Sequence, residues 1–336
     1  TIGSDLHCRM RMAMKSYGGW TSVTFAPFGV VAAGGKLMGF DEQHMLHGMG
    51  IAYAQCSGNQ QANVDGALTV RLQQGLGAKA GMLALALAER GITGATNVLQ
   101  GKYGFYPLYT KAEGDMALLT DGLGRRFEVE NISVKAYPCC AYTHEPIEGT
   151  LQLMKENCLE ADDVAEIVVR ANSKAYNLCV YSEEGDTKYV PRNTVDAQFS
   201  IPYTVAAAAV RGSVGLGDFS EEAISDAAVL RLARRVKVEV DPELDRIPGS
   251  VVPNVIEVRM GDGGKYSRRV EFAKGHPGNP MTMSECADKF RECARFAVRR
   301  LPDRNIERVI DMAGRLEETE DVTEIVRLLT PGRRSA

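Results

Sequence analysis

At 336 residues, with 45% hydrophobic and 24% charged residues, the chain has the make-up of a soluble globular protein, and it is long enough for two domains. A net charge of −4, with Lys and Arg scattered, gives no reason to expect nucleic acid. No apolar run reaches the ~18 residues of a membrane span and no signal peptide opens the chain, so no membrane partner and a cytoplasmic location are expected.

In chain order, residues 6–14 read as the tail of a helix closed by Gly18-Gly19. An irregular aromatic segment, 20–27, leads to a small-residue helix through Leu37, of a kind that lets neighbouring helices approach closely. Its Gly29/Gly34/Gly35 pattern has no strand before it and no G-K-[ST] after it, so a nucleotide loop is set aside. Asp41 reads as the N-cap of a helix over 42–55. After an amide-rich passage, 56–67, comes a strongly apolar helix over 82–88, stopped by Gly91. Lys79 lies at its start among Gly, Ala and Leu; such a lysine either snorkels or is held for a negative partner. A short helix is expected over 93–103, which makes the first 125 residues all helix and loop.

From Arg126 strands alternate with helices. The pattern predicts a strand over 127–137, a helix over 145–157, a strand over 166–171 and a polar loop over 182–196. Helices follow over 202–211, ended by Gly212, and over 222–232, then a strand over 236–240. A hairpin of 255–260 with 265–272 turns at Asp262-Gly263-Gly264. Beyond Gly275-His276-Pro277-Gly278-Asn279-Pro280 come helices over 284–299, 303–315 and 323–329. The expected fold is mainly α. A helical domain is built from both chain ends, 1–125 and 276–336, and a mixed-sheet α+β domain, 126–275, is inserted between them.

The eight cysteines contain no C-x-x-C pair and mostly sit in apolar stretches, so reduced thiols are expected and iron–sulfur ligation is not. His44 and His47 form a His-x-x-His on an amphipathic helix, without further ligands in view, so no metal is expected.

The stretch 134–148, V-K-A-Y-P-C-C-A-Y-T-H-E-P-I-E, concentrates chemistry: a lysine, two cysteines, a threonine and a histidine within ten residues. Pro146 suits the first turn of a helix continued by Ile147, Leu151 and Met154. This places Lys135 at a strand end and His144 at a helix N-terminus, where an anion is favoured and a neighbouring cation suits a carboxylate. The alternative is an ordinary crossover whose polar residues cap and solvate.

Five stretches, in order, resemble the MmgE/PrpD family: 29–39, 71–91 (R-L-x-x-G-x-x-A-K-A-G…G), 135–144 (K-x-Y-P-C-C-x-x-T-H), 196–203 (D-A-Q-F-S-I-P-Y) and 275–281. The family includes 2-methylcitrate dehydratase, cis-aconitate decarboxylase and iminodisuccinate epimerase. The resemblance implies the two-domain architecture above, a homodimer, and catalysis with neither metal nor other cofactor. It matches Lys79 to a family cation, Lys135 to the lysine opening the Y-P motif, His144 to the T-H pair and Tyr203 to the F-S-x-P-Y tyrosine. Cys140 falls where decarboxylase-like members place an active-site histidine. Arg71 and Ser200, in the matching stretches, are taken with Lys79 and Cys140 as substrate-binding; His144, Tyr203 and Lys135 are the catalytic candidates.

Two departures are noted. Family chains usually begin with a further helical segment carrying acidic and histidine active-site residues, so this chain, beginning at Thr1, is expected to be a fragment or a processed product. Many members read G-[WF]-H-x-[TS] where Gly19-Trp20-Thr21-Ser22-Val23 stands, so Thr21 replaces a histidine. The expected function is a metal-independent lyase acting on a small di- or tricarboxylate, dehydrating or decarboxylating it after removal of a proton α to a carboxylate. An epimerase of an amino- or iminodicarboxylate, or a weak or non-catalytic copy of the fold, are the alternatives.

Overall fold

The structure is a computed structural model; it describes residues 1–15, 18–111, 114–183, 185–249 and 251–330. By its internal contacts the chain forms two compact units, Thr1–Ile132 and Ser133–Ala336. The fold is mainly α with a small four-stranded mixed sheet, as the periodicity predicts.

The first unit is built on α1 (Ile2–Met12), α2 (Ala26–Leu37), α3 (Glu42–Tyr53), the short α4 (Gln61–Val64), α5 (Thr69–Glu89) and α6 (Phe105–Tyr109). The Asp41 side chain accepts the His44 amide and opens α3 as expected. Small residues let the helices meet backbone to backbone: a Cβ on Gly29 would stand 2.7 Å from the Gly3 carbonyl oxygen. Phe25, Phe28 and Phe105 meet edge to face at the centre, at ring separations of 6.1 and 5.9 Å. Beside them the wholly buried Arg9 donates to Asp5 (2.7 Å) and to the carbonyls of Asp121 (2.7 Å) and Arg126 (2.6 Å). Asp5 in turn accepts the Glu128 amide at 2.5 Å.

Three expectations fail in this unit's sequence or at its end, each for a packing reason. α5 begins at Thr69 rather than near Met82, so Lys79 lies in mid-helix instead of at a helix start. The glycines ahead of residue 82 are contact points inside the helix: a Cβ on Gly77 would stand 3.0 Å from that of Ala26, and one on Gly81 2.5 Å from that of Val30. Residues 93–103 form turns instead of a helix, since Gly94 lies directly on the α3 backbone, where a Cβ would come 2.5 Å from the Ile51 nitrogen. Residues 127–137 are not a strand. A 3₁₀ turn, Glu128–Asn131, is followed by irregular chain exposed at residues 131–135, which is tied to the loop at 275 by the Val134 amide donating to Gly275 (2.8 Å). An alternating pattern needs a partner strand to become one.

The second unit orders its sheet β2-β1-β3-β4, from β1 (Val164–Ala171), β2 (Val236–Val240), β3 (Asn254–Met260) and β4 (Lys265–Val270). β1 runs parallel to β2 and antiparallel to β3, and β3–β4 is the expected hairpin. Helices α7 (His144–Glu156) and α10 (Ile201–Arg211) cover the sheet and pack on each other. Ser200 caps α10, Pro202 occupies its first turn, and Gly212 (φ +67°) closes it in the left-handed conformation. Short helices α8 (Ser173–Cys179), α9 (Thr194–Gln198), α11 (Ala227–Ala233) and α12 (Pro242–Asp245) link these elements. The helix expected over 222–232 is split at Asp226, whose side chain caps α11. α13 (Met283–Arg295), α14 (Asp303–Gly314) and α15 (Thr323–Leu329) pack on one another at the end. Glu292 of α13 accepts the Leu216 amide at 2.8 Å.

Candidate functional site

Residues 135–144 form a compact turn that enters α7. Lys135 Nζ donates to the Cys139 carbonyl (2.8 Å), and the Lys135 carbonyl accepts the ammonium of Lys289 from α13. Two cations from distant parts of the sequence are therefore pinned to one turn. The Thr143 hydroxyl contacts both the Cys140 carbonyl (2.8 Å) and Cys139 Sγ (2.9 Å), which fixes the last bend before the helix.

His144 is the first residue of α7, as its position before Glu145-Pro146 suggests. Its ring is buried, edge-on to Tyr137 at 5.3 Å, and its Nε2 has no hydrogen-bond partner among the described residues. Burial, then the Lys135 charge, holds the imidazole down at about 4, with Lys289 adding to the effect and the backbone of Cys139 and Tyr137 opposing it. The ring is thus neutral at pH 7, and a proton kept on Nδ1 by those carbonyls leaves the Nε2 lone pair open. Tyr137 donates to Glu148 (2.6 Å) and so holds the ring face beside the histidine. Glu145, next along, has its carboxyl pushed up to about 7 by burial, against the Ala273 amide it accepts at 3.4 Å.

Cys140 sits on the other side of the turn. Its amide donates to the Gln198 carbonyl (2.9 Å), so the F-S-I-P-Y motif and the Y-P-C-C motif are bonded directly. The Ser200 hydroxyl donates to the Lys188 carbonyl and accepts the Tyr203 amide (2.9 Å). Lys188, Cys140 and Cys179 are all buried, 7%, 7% and 0% exposed.

The structure brings Lys135, Cys140 and His144 together, with Ser200 two residues beyond Gln198, whose carbonyl holds the Cys140 amide. Tyr203 is occupied elsewhere in the same unit. Its buried hydroxyl is shared between the carbonyls of Asp218 (2.5 Å) and Ala223 (3.2 Å), beside Arg211, which bonds Asp218 and Asp226. Lys79 and Arg71 belong to the first unit, both exposed on α5. There too, the Thr21 hydroxyl is buried without a hydrogen-bond partner among the described residues. Among the described residues no group of three or more His, Cys, Asp and Glu side chains is placed to hold a metal ion, and His44 is bonded to its own helix cap, Asp41 (2.6 Å). Sequence reasoning misses Lys188, in a polar loop, and Lys289, on an amphipathic helix; neither carries a local signal.

The MmgE/PrpD C-terminal domain profile matches residues 137–314, and the MmgE/PrpD N-terminal domain profile matches residues 1–115. A cis-aconitate decarboxylase of Aspergillus terreus is 26% identical over 93% of this chain and 64% of its own length. Cis-aconitate decarboxylases of Mus musculus and Homo sapiens are 25% and 24% identical, over 90% of this chain and 60% of theirs. The chain therefore spans less than two thirds of the curated relatives it matches. With both profiles matched in order, and the longer one covering the Y-P-C-C-x-x-T-H turn and the sheet that carries it, the chain belongs to the MmgE/PrpD family.

Proposed function

We propose that this chain belongs to a lyase acting on a small di- or tricarboxylate, by dehydration or decarboxylation, with proton transfer at a carbon next to a carboxylate and no metal. The observation that carries the reading is the buried, unpartnered Nε2 of His144 in the field of Lys135 and Lys289. A neutral imidazole with an open lone pair accepts a proton or a hydrogen bond from a substrate, and the two ammonium groups suit its carboxylates. The decarboxylases named above support the reading by kinship. Lys79 and Arg71 as further carboxylate ligands, a helical domain completed by residues 276–336, and a homodimer belong to the same proposal. For the test, purified full-length protein is assayed against a panel of di- and tricarboxylates that includes cis-aconitate. His144→Asn is expected to lower turnover by ~10²- to 10⁴-fold, and Lys135→Ala to weaken it by ~10-fold or more. Full turnover in His144→Asn would count against the assignment.

Epimerisation is the second reading, favoured by the buried Glu145 carboxyl next to His144, which is pushed up to about 7 and could return a proton. Running the reaction in heavy water separates the two, since an epimerase exchanges the α-proton with no net loss of water or carbon dioxide.

A further inference from the structure

The loop that follows β4, residues 271–280, is docked on the turn that carries His144. The Ala273 amide donates to the carboxyl of Glu145 (3.4 Å), one residue beyond His144. Lys274 pairs with Glu285 at the start of α13 (2.8 Å), the helix whose Lys289 meets the Lys135 carbonyl. Gly275 lies against Val134 and Ala136, which flank Lys135, and its carbonyl accepts the Val134 amide (2.8 Å). The loop is therefore held beside both Lys135 and His144, and His276 is its next residue.

The imidazole of His276 is fixed more firmly than a half-buried loop side chain requires. Its ring lies flat on Phe272, 4.3 Å away and 9° from parallel. Its Nδ1 accepts the Gly278 amide at 3.0 Å. Gly278 fits there only without a side chain, since a Cβ would stand 2.6 Å from the Phe272 ring. The backbone closes around the pair: the His276 amide donates to the Ala273 carbonyl (3.1 Å), Gly275 to Asn279 (2.8 Å) and Asn279 back to His276 (2.8 Å). The Asn279 side chain donates to the Phe272 carbonyl (3.2 Å). A ring nitrogen that accepts an amide N–H carries no proton, so the ring proton of His276 is on Nε2. Among the described residues that Nε2–H has no hydrogen-bond partner. His144 is arranged the other way round, with the backbone of Cys139 and Tyr137 holding Nδ1 and an open acceptor at Nε2.

We propose that His276 is a further catalytic residue, whose Nε2–H donates to the substrate carboxylate oxygen that gains charge while the adjacent C–H bond is broken; this rests on the carboxylate-lyase reading above. In dehydration the C–H bond breaks, its proton passes to His144 Nε2 and the electron pair spreads onto the carboxylate. The pair then closes the C=C bond as hydroxide departs with its own pair, and the imidazolium returns its proton to water. No oxidant or reductant is involved. Lys135 and Lys289 act on charge that the substrate brings with it. A fixed N–H donor gains most as further charge develops, and needs no reorganisation when it does.

The test separates this donor from a ring that only packs on Phe272. His276→Gln keeps an N–H donor near the place of Nε2 and loses the ring, whereas His276→Phe keeps the stack and loses the donor. In the carboxylate assay His276→Phe is expected to lose ~100-fold or more in kcat with little change in KM, and His276→Gln ~10-fold or less. A larger loss in His276→Gln than in His276→Phe, or a raised KM at unchanged kcat in His276→Phe, overturns the proposal. A second arm uses the wild-type protein without turnover. Nitrogen-15 spectra of the five labelled histidines, with His276→Gln to assign the signal, should show an N–H at Nε2 of His276 and none at Nδ1. Tricarballylate, a tricarboxylate with no group to eliminate, should shift that Nε2 signal. A proton on Nδ1, or a His276 signal that stays still while that of His144 moves, also overturns the proposal. If the wild-type protein turns over nothing in the panel, the lyase reading fails, and the tricarballylate spectra alone decide whether His276 is an anion donor beside His144.

Discussion

Arg9 in the first unit and Lys188 in the second are both buried cations, 0% and 7% exposed, and their surroundings treat them in opposite ways. Arg9 has its charge met by Asp5 and its remaining N–H groups met by two backbone carbonyls within 2.7 Å. Lys188 has a backbone bond that fixes its place and, among the described residues, no hydrogen bond from its ammonium, with only the field of Asp196 and neighbouring thiols on its charge, and His144 keeps an open Nε2. A satisfied buried ion ties elements together, here α1 to the loop around 118–128. An unsatisfied one is held ready for something else, at the expense of stability.

The largest expected effect breaks the satisfied side. Arg9→Met leaves Asp5 buried and unpaired, and should lower the unfolding free energy by ~3–5 kcal/mol in urea titration. Replacing Arg9 and Asp5 together by apolar residues should recover much of that loss. His144→Asn should do the reverse, abolishing most turnover while changing stability by no more than ~1 kcal/mol, since it removes a group whose Nε2 makes no hydrogen bond. If it destabilises as strongly as Arg9→Met, the contrast fails.

A pH series sharpens the comparison within the second unit. His144 is held down at about 4, so the folded state binds its proton less readily than the unfolded chain, and its contribution is lost as pH falls from ~6.5 to about 4. Glu145 is held up at about 7, so its contribution is present below ~4.3 and lost as pH rises through about 7. Each slope amounts to at most ~3 kcal/mol, and between about pH 4.5 and 6.5 they oppose each other. Glu145→Gln should leave a stability that rises with pH over that window, and His144→Asn one that falls. Parallel profiles in both variants would show that the two groups do not carry these shifts. The smallest effect is expected from Lys289→Met, which removes one cation from the turn but leaves the Lys135 contact to Cys139; a loss of ~2- to 5-fold in turnover is anticipated, within the range of a partly exposed charge.

What was readable in the sequence follows from how local each determinant is. Asp41 before α3, Ser200 and Gly212 around α10, and Asp262-Gly263-Gly264 between β3 and β4 act within a few residues, and each element lies where expected. The strand expected over 127–137 lacked a partner, which no local pattern reports. The helix was expected only from residue 82, and the role of the glycines before it, the close approach of α2, comes from forty or more residues away in the chain. In the site, His144 and Lys135 were visible as a motif, and Lys188 and Lys289 were not, because a polar loop and an amphipathic helix look alike whether or not they end at a turn elsewhere. Tyr203 was read as a catalytic candidate from its motif; that its hydroxyl is bonded to the carbonyls of Asp218 and Ala223 depends on residues 15 and 20 positions away.

Gly275, at φ +90°, presses its backbone so closely on Val134 that any Cβ there would collide with the Val134 carbonyl oxygen, and its own carbonyl holds the Val134 amide. This bears on how portable the chemistry is. The ten residues 135–144 look like a cassette that could be moved to another scaffold, but their shape is imposed from outside, by Gly275 on one flank, Gln198 on the other and Lys289 above the turn. A graft of the cassette alone would carry the reactive groups without the three braces that aim them. A minimal transplant would have to import the loop at 275, the end of α9 and one face of α13 as well, which is most of the second unit.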